Sequence, residues 1–291
     1  MYRIALIASQ HLSAHATHLA QLLAALDRSD VALYCDRSFQ IDLAEEFHLT
    51  PRIAGALPTD MSPLDVDFVL SLGGDGTFLR AARRVFGQEI PVLGLNMGRL
   101  GFLTDMGIEE ALPLLPRLFS GDYTLERRML LSVEVDGHPY GQVLNDVALL
   151  KRETGSMISI HTLLGGEDYL ANYECDGLIV STPSGSTAYS LSAYGPLMMP
   201  QTRAMLLTPL APHSLTMRPL VVPDDNTIEV SVSARNNSFL IVLDGQTKIL
   251  PCTSRIRITK SPNTLHLVHL GDYSYTETLR RKLLWAAPVR E

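Results

Sequence analysis

Apolar and polar positions in the first part of the chain alternate between short aliphatic runs and longer amphipathic stretches. The predicted strands are 3–8, 31–35, 67–72 and 91–95, and the predicted helices are 13–26, 77–86 and 109–119. Strands that alternate with helices in this way are typical of a parallel sheet with right-handed crossovers. We therefore expect an α/β domain with an open, mostly parallel sheet over residues 1–121.

The pattern changes after residue 121, where strand-like runs follow one another without comparable helices. The predicted strands are 130–135, 142–150, 158–164, 177–181, 227–233, 239–243, 248–250, 255–259 and 264–269. We expect a β-rich, sandwich-like second domain over 122–272, with two sheets packed together. Residues 275–287 predict a helix with an apolar stripe of Leu279, Leu283 and Leu284. This C-terminal segment, 273–291, is expected to pack back on the first domain.

Composition and charge narrow the classes of partner. The chain has 291 residues, is 46% hydrophobic and carries a formal net charge of −7. This balance gives no general attraction for nucleic acid or for an anionic membrane, so any phosphate site must be local. No apolar run is long enough for a signal peptide or a membrane span, and we expect a cytoplasmic location. Cys35, Cys175 and Cys252 lack metal-ligand spacing and predict buried, structural free thiols.

A glycine-rich turn follows the predicted strand at 67–72 and reads Gly73-Gly74-Asp75-Gly76-Thr77. Glycines let a ligand approach the backbone closely, and amides at a helix N-terminus bind phosphate without a lysine. The turn matches neither G-x-x-x-x-G-K-[ST] nor G-x-G-x-x-G. By itself it leaves two interpretations open. It is either a nucleotide loop with a catalytic Asp75, or a tight turn in which Asp75 caps the next helix.

Two further strings carry candidate chemistry. Residues 96–103 read NMGRLGFL, where Gly98 and Gly101 allow a tight loop and Phe102 offers a ring to adenine or to the core. Residues 176–192 read DGLIVSTPSGSTAYSLS, a buried strand followed by hydroxyl side chains around Gly185 that can hydrogen-bond a ligand at close range. Without other information, the second string is also compatible with a polar surface loop.

These strings resemble the NAD kinase family. The turn at 73–77 resembles the nucleotide loop that NAD kinases share with diacylglycerol and sphingosine kinases and, more distantly, with phosphofructokinases. Residues 96–103 and 176–192 resemble patterns of NAD kinases, and the motifs together extend from residue 70 to 250. The resemblance implies an α/β domain that carries Asp75, a β-sandwich domain that carries most NAD contacts, and an active site between them.

The resemblance also assigns roles to individual residues. Asp75 is implied to be the general base at the acceptor hydroxyl or to work with the metal. Asp176 is implied to meet the nicotinamide side, and His213 a ribose. The residues implied to cradle the phosphates of ATP are Gly73, Gly74, Gly76 and Thr77. The residues implied to contact NAD are Asp75, Gly76, Phe102, Asn145, Asp146, Ser156, Glu174, Asp176, Thr187, Ala188, Tyr189, Ser190, Leu191, Ser192, His213 and Gln246.

Two positions depart from the family pattern. Asn145-Asp146 stands where NAD kinases usually have Asn-Glu, so the acid is one methylene shorter and either shifts the sugar or requires a bridging water. Tyr194 stands where many members have glycine, which changes the local shape of the pocket. The Asp-Gly-Gln turn that contains Gln246 follows the family pattern.

The activity that the resemblance implies is transfer of the γ-phosphate of ATP to the 2′-hydroxyl of the adenosine ribose of NAD. Mg²⁺ is expected to enter with ATP near Asp75, without a dedicated protein cage, and NAD is a substrate rather than a prosthetic group. A homodimer or homotetramer is expected. Two alternatives stay open at this point: a lipid kinase that shares the Gly73–Thr77 turn, and a non-catalytic regulator that binds NAD or NADP.

Overall fold

The computed structural model describes residues 1–10, 12–98, 101–104, 106–153 and 155–285. In chain order its elements are β1 (Tyr2–Ala8), α1 (Ala16–Leu26), β2 (Val31–Cys35), α2 (Arg37–Glu45), β3 (Ile53–Ala56), β4 (Phe68–Leu72), α3 (Asp75–Arg84), β5 (Val92–Asn96), β6 (Met106–Gly107), α4 (Ile108–Ala111), α5 (Leu115–Ser120), β7 (Thr124–Val135), β8 (His138–Val143), β9 (Asp146–Leu150), β10 (Ile158–Leu164), β11 (Asp168–Cys175), β12 (Gly177–Ser181), α6 (Tyr189–Ser192), β13 (Ala204–Leu210), β14 (Leu220–Pro223), β15 (Ile228–Ser233), β16 (Ser238–Leu243), β17 (Gln246–Pro251), β18 (Arg255–His269) and α7 (Tyr275–Lys282).

The chain forms two compact units. Unit 1 comprises residues 1–127 together with the segment from Leu265 onward, and unit 2 comprises Arg128–Thr264. The domain boundaries predicted at 121 and 272 stay predictions. The two compact units are divided inside two continuous strands, β7 and β18, where hydrophobic alternation gives no sign of a boundary.

Unit 1 contains a parallel sheet with the strand order β5-β4-β1-β2-β3. The end of β18 and the short β6 both pair with β5, again in parallel. Strand β4 is buried at every position, as is typical of a sheet with helices on both faces. Helix α1 buries Leu19, Leu22, Leu23 and Leu26, which recur at helical spacing and belong to the core of this unit. The predicted open, mostly parallel sheet is confirmed.

Unit 2 contains two sheets that share one hydrophobic core. One has the order β14-β13-β12-β9-β16-β17, with antiparallel pairings. The other pairs β11, β10, β15 and β18 in antiparallel order and also contains β7 and β8. Apolar side chains that alternate along these strands meet between the sheets, among them Val147 of β9, Ile160 of β10 and Phe239 of β16. The predicted β-rich, sandwich-like domain is confirmed.

Several predicted elements differ from the observed ones. Helix α2 and strands β3, β11, β13 and β14 were not predicted, and β13 contains Pro209, which weakened its strand pattern. The predicted strand 142–150 is two strands, β8 and β9, interrupted at Leu144 and Asn145. The predicted strands 255–259 and 264–269 are one continuous strand, β18.

The predicted helices also differ in their limits. The helix predicted at 77–86 begins at Asp75 and ends at Arg84. The stretch 109–119 is divided into α4, a 3₁₀ turn and α5, because Pro113 and Pro116 cannot continue a helix. Helix α7 ends at Lys282, so the predicted stripe is incomplete. Leu279 is buried, whereas Leu284 is exposed with a left-handed φ of 57°. Residues 286–287 of the predicted helix lie outside the described residues.

Candidate functional site

The Asp75 carboxylate lies at the start of α3, directly after the buried strand β4. Its Oδ2 accepts the Phe102 N–H at 2.9 Å, and its Oδ1 accepts the Leu103 N–H at 3.0 Å and the Thr104 N–H at 3.2 Å. The Thr104 hydroxyl donates to the same Oδ1 at 3.2 Å. The carboxylate is therefore held by the loop at 101–104 and does not serve as a simple cap of its own helix.

This contact unites two of the strings singled out in the sequence, the turn at 73–77 and residues 96–103. Gly101 is required at the contact, because a Cβ at this position would lie 1.9 Å from Asp75 Oδ1. Arg99 and Leu100 of the second string lie outside the described residues. Asn96 also holds the loop. Its side-chain amide donates to the Thr104 hydroxyl at 3.0 Å, and its Oδ1 accepts the Gly98 N–H at 2.8 Å.

The four residues expected to cradle phosphate are not equivalent. The Gly73 N–H donates to Leu95 O at 3.0 Å, and the Thr77 N–H donates to Gly74 O at 2.9 Å. Both amides are therefore already used in backbone hydrogen bonds. Gly73 has a φ of 154°, and a Cβ there would lie 2.5 Å from the Thr77 hydroxyl. Gly74 and Gly76 are exposed at the start of α3. The exposed amides at this helix end are the ones placed to meet an anion.

Phe102 is half-buried beside the end of α7. The ammonium of Lys282 lies 5.6 Å from the centre of its ring, within the range of a cation–π contact. The residue expected to meet adenine is therefore in contact with a cation of unit 1 in this structure.

Unit 2 has a candidate site of its own, where β8 ends and β9 begins. The Asp244 carboxylate accepts three consecutive backbone N–H groups here, from Leu144 at 2.7 Å, Asn145 at 2.8 Å and Asp146 at 3.1 Å. The Asn145 carbonyl accepts the Thr182 N–H at 2.9 Å. The Asn145 side-chain oxygen is buried, and no hydrogen-bond partner is found for it among the described residues. A buried acceptor without a protein partner is uncommon, and a water molecule or a ligand can supply the missing donor.

Asp146 is buried, with 6% of its surface exposed. Burial, as the larger cause, and the negative charge of Asp244 together raise the pKa of its carboxyl from 3.8 to about 7. The backbone N–H of Tyr189 donates to the Asp146 carboxylate and opposes these effects. This bond joins Asp146 to α6, so two of the predicted NAD-binding segments meet here.

The polar segment after β12 is folded tightly rather than forming an open surface loop. The Thr182 hydroxyl donates to Leu144 O at 2.6 Å and accepts the Gly185 N–H at 3.1 Å. A Cβ at Gly185 would lie 2.1 Å from the Asn145 carbonyl oxygen, so only glycine fits. The Arg128 guanidinium, 1% exposed, donates to the Ser184 hydroxyl at 3.1 Å. A 3₁₀ turn over Ser184–Thr187 then leads into α6.

A cavity of about 590 Å³ lies beside this segment in unit 2. It brings together Asp176, Tyr189 and Ser192, three of the predicted site residues. The Lys151 ammonium lies 2.6 Å from Asp176 Oδ1, so the carboxylate is held in an ion pair. Tyr194 also lines the cavity, 94% exposed and with a left-handed φ of 61°. The aromatic ring that replaces the usual glycine therefore stands at the cavity mouth.

Other predicted residues lie within the same segments or further along the chain. Thr187, Ala188 and Leu191 are half-buried in or next to α6, and the Ser190 hydroxyl bonds to that of Thr208 at 2.8 Å. Like these, the more distant predicted residues Ser156, Glu174, His213 and Gln246 are not among the described residues that line the 590 Å³ cavity. The Glu174 carboxylate accepts the Asn172 amide at 2.7 Å, and its carbonyl accepts the His213 N–H at 2.8 Å.

Three residues of the site were not singled out from the sequence: Asp244, Lys151 and Arg128. Asp244 precedes Gln246 in the Asp-Gly-Gln turn, and that motif was the available signal. Lys151 follows β9 directly, and only the strand pairing places it beside Asp176. A fully buried arginine such as Arg128 has no sequence signature, because its burial is decided by the packing around it.

The cysteines of the chain are not paired with one another. All three cysteines are free, and Cys35 and Cys175 are buried as expected. Cys252 is only half-buried, because it lies in the turn that follows the edge strand β17. In the described part of the chain, no group of three His, Cys, Asp or Glu side chains is placed to hold a metal ion. No helix among these residues is long and apolar enough to cross a membrane.

Comparison with known proteins identifies the family. Residues 17–123 match the ATP-NAD kinase N-terminal domain, and residues 144–270 match the ATP-NAD kinase C-terminal domain. The NAD kinase of Porphyromonas gingivalis is 49% identical over 291 residues and covers 100% of both chains. A crystal structure of an NAD kinase from Archaeoglobus fulgidus in complex with ATP is 27% identical, with a TM-score of 0.74, and the match covers 97% of this chain and 98% of that one.

A yeast NADH kinase complexed with NADH shares the fold with a TM-score of 0.89 at 20% identity, covering 100% of this chain and 89% of that one. The matches do not favour a lipid kinase or a non-catalytic regulator. Two family domains that cover most of the chain, and a relative that aligns along all of it, show that the chain belongs to the NAD kinase family and is an enzyme that phosphorylates NAD.

Proposed function

We propose that this chain transfers the γ-phosphate of ATP to the 2′-hydroxyl of the adenosine ribose of NAD, giving NADP and ADP, with Asp75 as the general base. The observation that carries the proposal is the way in which Asp75 is held. Among the described residues, Oδ1 receives three hydrogen bonds and Oδ2 receives one, from Phe102. Since each carboxylate oxygen offers about two lone-pair sites, Oδ2, which receives only one bond from the described residues, is left able to accept a hydroxyl proton.

The phosphate donor is proposed to meet the start of α3. The amides of Gly74 and Gly76 and the hydroxyl of Thr77 supply donors there, and the helix N-terminus favours negative charge. Gly73 shapes the turn, since its amide bonds to Leu95. Mg²⁺ is proposed to enter with ATP near Asp75, held mainly by the triphosphate oxygens, and would offset the charge of the phosphates.

NAD is proposed to bind to the residues around the β8–β9 interruption and α6. The buried Asn145 oxygen has the burial and the free lone pairs to accept the adenine amino group. Asp146 is proposed to accept ribose hydroxyls, and Asp176 to meet the nicotinamide side. The further contacts proposed from the family pattern are Phe102, Ser156, Glu174, Thr187, Ala188, Tyr189, Ser190, Leu191, Ser192, His213 and Gln246. The assembly as a homodimer or homotetramer and the cytoplasmic location stay predictions.

The test is a coupled assay for NADP formation by the purified chain with NAD, ATP and Mg²⁺, with Asp75→Asn as the paired variant. General-base assistance accounts for about 10²–10⁴-fold, and we expect a loss of that size in kcat. An amide at this position keeps one acceptor for Leu103 and Thr104 but presents an NH₂ group to the Phe102 N–H. NAD binding by calorimetry and the melting temperature are therefore measured beside activity.

Each outcome has a distinct meaning. NADP formation by the wild type, with a large loss in a folded Asp75→Asn variant that still binds NAD, supports the proposal. Normal turnover in that variant would overturn the role of Asp75. If the wild type binds NAD but forms no NADP with ATP, the proposed donor is wrong, and inorganic polyphosphate is the next donor to assay.

A further inference from the structure

The Asp244 carboxylate accepts three consecutive backbone N–H groups in unit 2, although it does not belong to the residues proposed to touch NAD. It receives the N–H groups of Leu144, Asn145 and Asp146 at 2.7, 2.8 and 3.1 Å. Its own N–H donates to the Asp146 carbonyl at 3.1 Å. Four hydrogen bonds thus connect one residue of the β16–β17 turn to the backbone that carries both proposed adenosine ligands.

This arrangement replaces the regular strand ladder. Strand β9 pairs with β16 only from Val147 onward, where Val147 lies opposite Leu243. Immediately before that pair, three consecutive amides converge on one side chain, which requires the backbone to leave the extended strand. Asp244 itself has a left-handed φ of 44° and is 9% exposed. Bonds from amides to an ionised carboxylate are shorter and stronger than those to a neutral acceptor, so the interruption is held firmly.

We propose that Asp244 is a positioning residue for NAD, whose carboxylate fixes the backbone from Leu144 to Asp146 so that the Asn145 and Asp146 side chains meet the adenosine together. This inference rests on the proposed function, since it assumes that these two side chains bind NAD. Asp244 acts through its neighbours and touches neither substrate.

The charge of Asp244 has a second consequence that a purely structural role would not produce. The groups that face the Asp146 carboxyl are Asp244 from the β16–β17 turn and the Tyr189 N–H from α6. Burial and the Asp244 charge both raise the pKa of Asp146, to about 7, so the carboxyl gains a proton as the pH falls through neutrality. Because a ribose hydroxyl donates best to the ionised form, the KM for NAD is expected to rise below pH 7.

The test compares Asp244→Asn and Asp244→Glu with the wild type. Asn keeps the shape and removes the charge, whereas Glu keeps the charge and displaces the carboxylate by one methylene. Each change weakens hydrogen bonds to an ionised group, and we expect a rise of about ten- to a hundredfold in the KM for NAD, with little change in the KM for ATP. In Asp244→Asn, the pH at which NAD affinity falls moves to lower values, and in Asp244→Glu it stays near 7.

Asp136→Asn is the matched control. Asp136 also precedes a glycine in a hairpin turn, has a left-handed φ of 53°, and accepts one backbone N–H, from Arg255 at 2.8 Å. It lies in the same unit and outside the proposed site. We expect this variant to retain the wild-type KM values and pH profile, so that loss of a turn aspartate alone does not account for the result.

The proposed function and the role of Asp244 can fail separately. A wild-type protein that forms no NADP contradicts the proposed function, whereas an active wild type whose Asp244→Asn variant keeps both the KM for NAD and the pH profile contradicts only the role of Asp244. If Asp244→Asn does not fold, Asp244→Glu decides: an unchanged KM for NAD in that variant overturns the inference, and a raised KM with an unchanged pH midpoint supports it.

Discussion

Gly101 lies against Asp75 so closely that a Cβ on the glycine would be 1.9 Å from the carboxylate oxygen Oδ1. No carbon atom can approach an oxygen to that distance, so the carboxylate occupies the space that any other residue at 101 would need. The backbone N–H groups of Phe102, Leu103 and Thr104 donate hydrogen bonds to the same carboxylate. The position of the proposed base, Asp75, thus depends on Gly101, a glycine 26 residues further along the chain.

The first prediction follows from this contact. In Gly101→Ala the Asp75 carboxylate must move, and displacement of a catalytic group by about 1 Å costs about 10²-fold in rate. We expect a loss of at least this size in kcat for NADP formation. The matched control is Gly98→Ala, because Gly98 is exposed and a Cβ there meets nothing within 4 Å. If both variants lose the same activity, the loop as a whole is sensitive and the Gly101–Asp75 contact is not the cause.

A second glycine tests the construction of unit 2. In Gly185→Ala the new Cβ would lie 2.1 Å from the Asn145 carbonyl oxygen, which is backbone and cannot rotate away. Overpacking of this kind costs about 1–3 kcal/mol, so we expect a lower melting temperature together with weaker NAD binding. Gly155→Ala, where a Cβ meets nothing within 4 Å, is the control and should behave like the wild type. If calorimetric unfolding gives Gly185→Ala the melting temperature of the wild type, that result contradicts the observed packing.

The raised pKa of Asp146 predicts a pH-dependent stability. The folded pKa, about 7, exceeds the ordinary value of 3.8, so the folded state binds the proton more tightly than the unfolded state does. The contribution of this group is therefore full below pH 4 and is lost as the pH rises through 7. Asp146→Asn removes the titration, and each pKa unit corresponds to about 1.4 kcal/mol.

We accordingly expect Asp146→Asn, without NAD, to be more stable than the wild type by a few kcal/mol at pH 8 and about equally stable at pH 4. Urea unfolding at a series of pH values measures this difference. A constant difference across the range would show that the Asp146 carboxyl titrates as it does in the unfolded chain. NAD binding by the variant is expected to weaken, so that stability and binding change in opposite directions.

The thiols provide an independent check on burial. Burial raises the pKa of Cys35 to about 11 and that of Cys175 to about 12, so almost no thiolate is present at pH 8. Cys252 is half-buried and is the thiol in contact with solvent. We expect a disulfide reagent at pH 8 to modify one of the three thiols in the native protein and all three in denaturant. Rapid reaction of Cys35 or Cys175 in the folded chain would contradict the packing described for them.

The architecture could be predicted from the sequence because it depends on local patterns. Aliphatic runs that alternate with amphipathic stretches predicted the parallel sheet of unit 1, and strands without helices predicted the sandwich of unit 2. The limits of elements were predicted less well. Proline in β13 concealed a strand, and the predicted strand 142–150 was not divided, although the polar pair Asn145-Asp146 interrupts its apolar run where β9 begins.

The sequence by itself determined the two-domain architecture, the family and the strings of residues that carry its chemistry, because each of these is recorded in neighbouring positions. Only the tertiary structure decided how the strings are held. Three sets of contacts join residues 25 to 100 positions apart. They are the hydrogen bonds that Asp75 accepts from Phe102–Thr104, those that Asp244 accepts from Leu144–Asp146, and the ion pair of Lys151 with Asp176. Such bonds have no periodicity, since their partners are brought together by strand register and by the packing of the core.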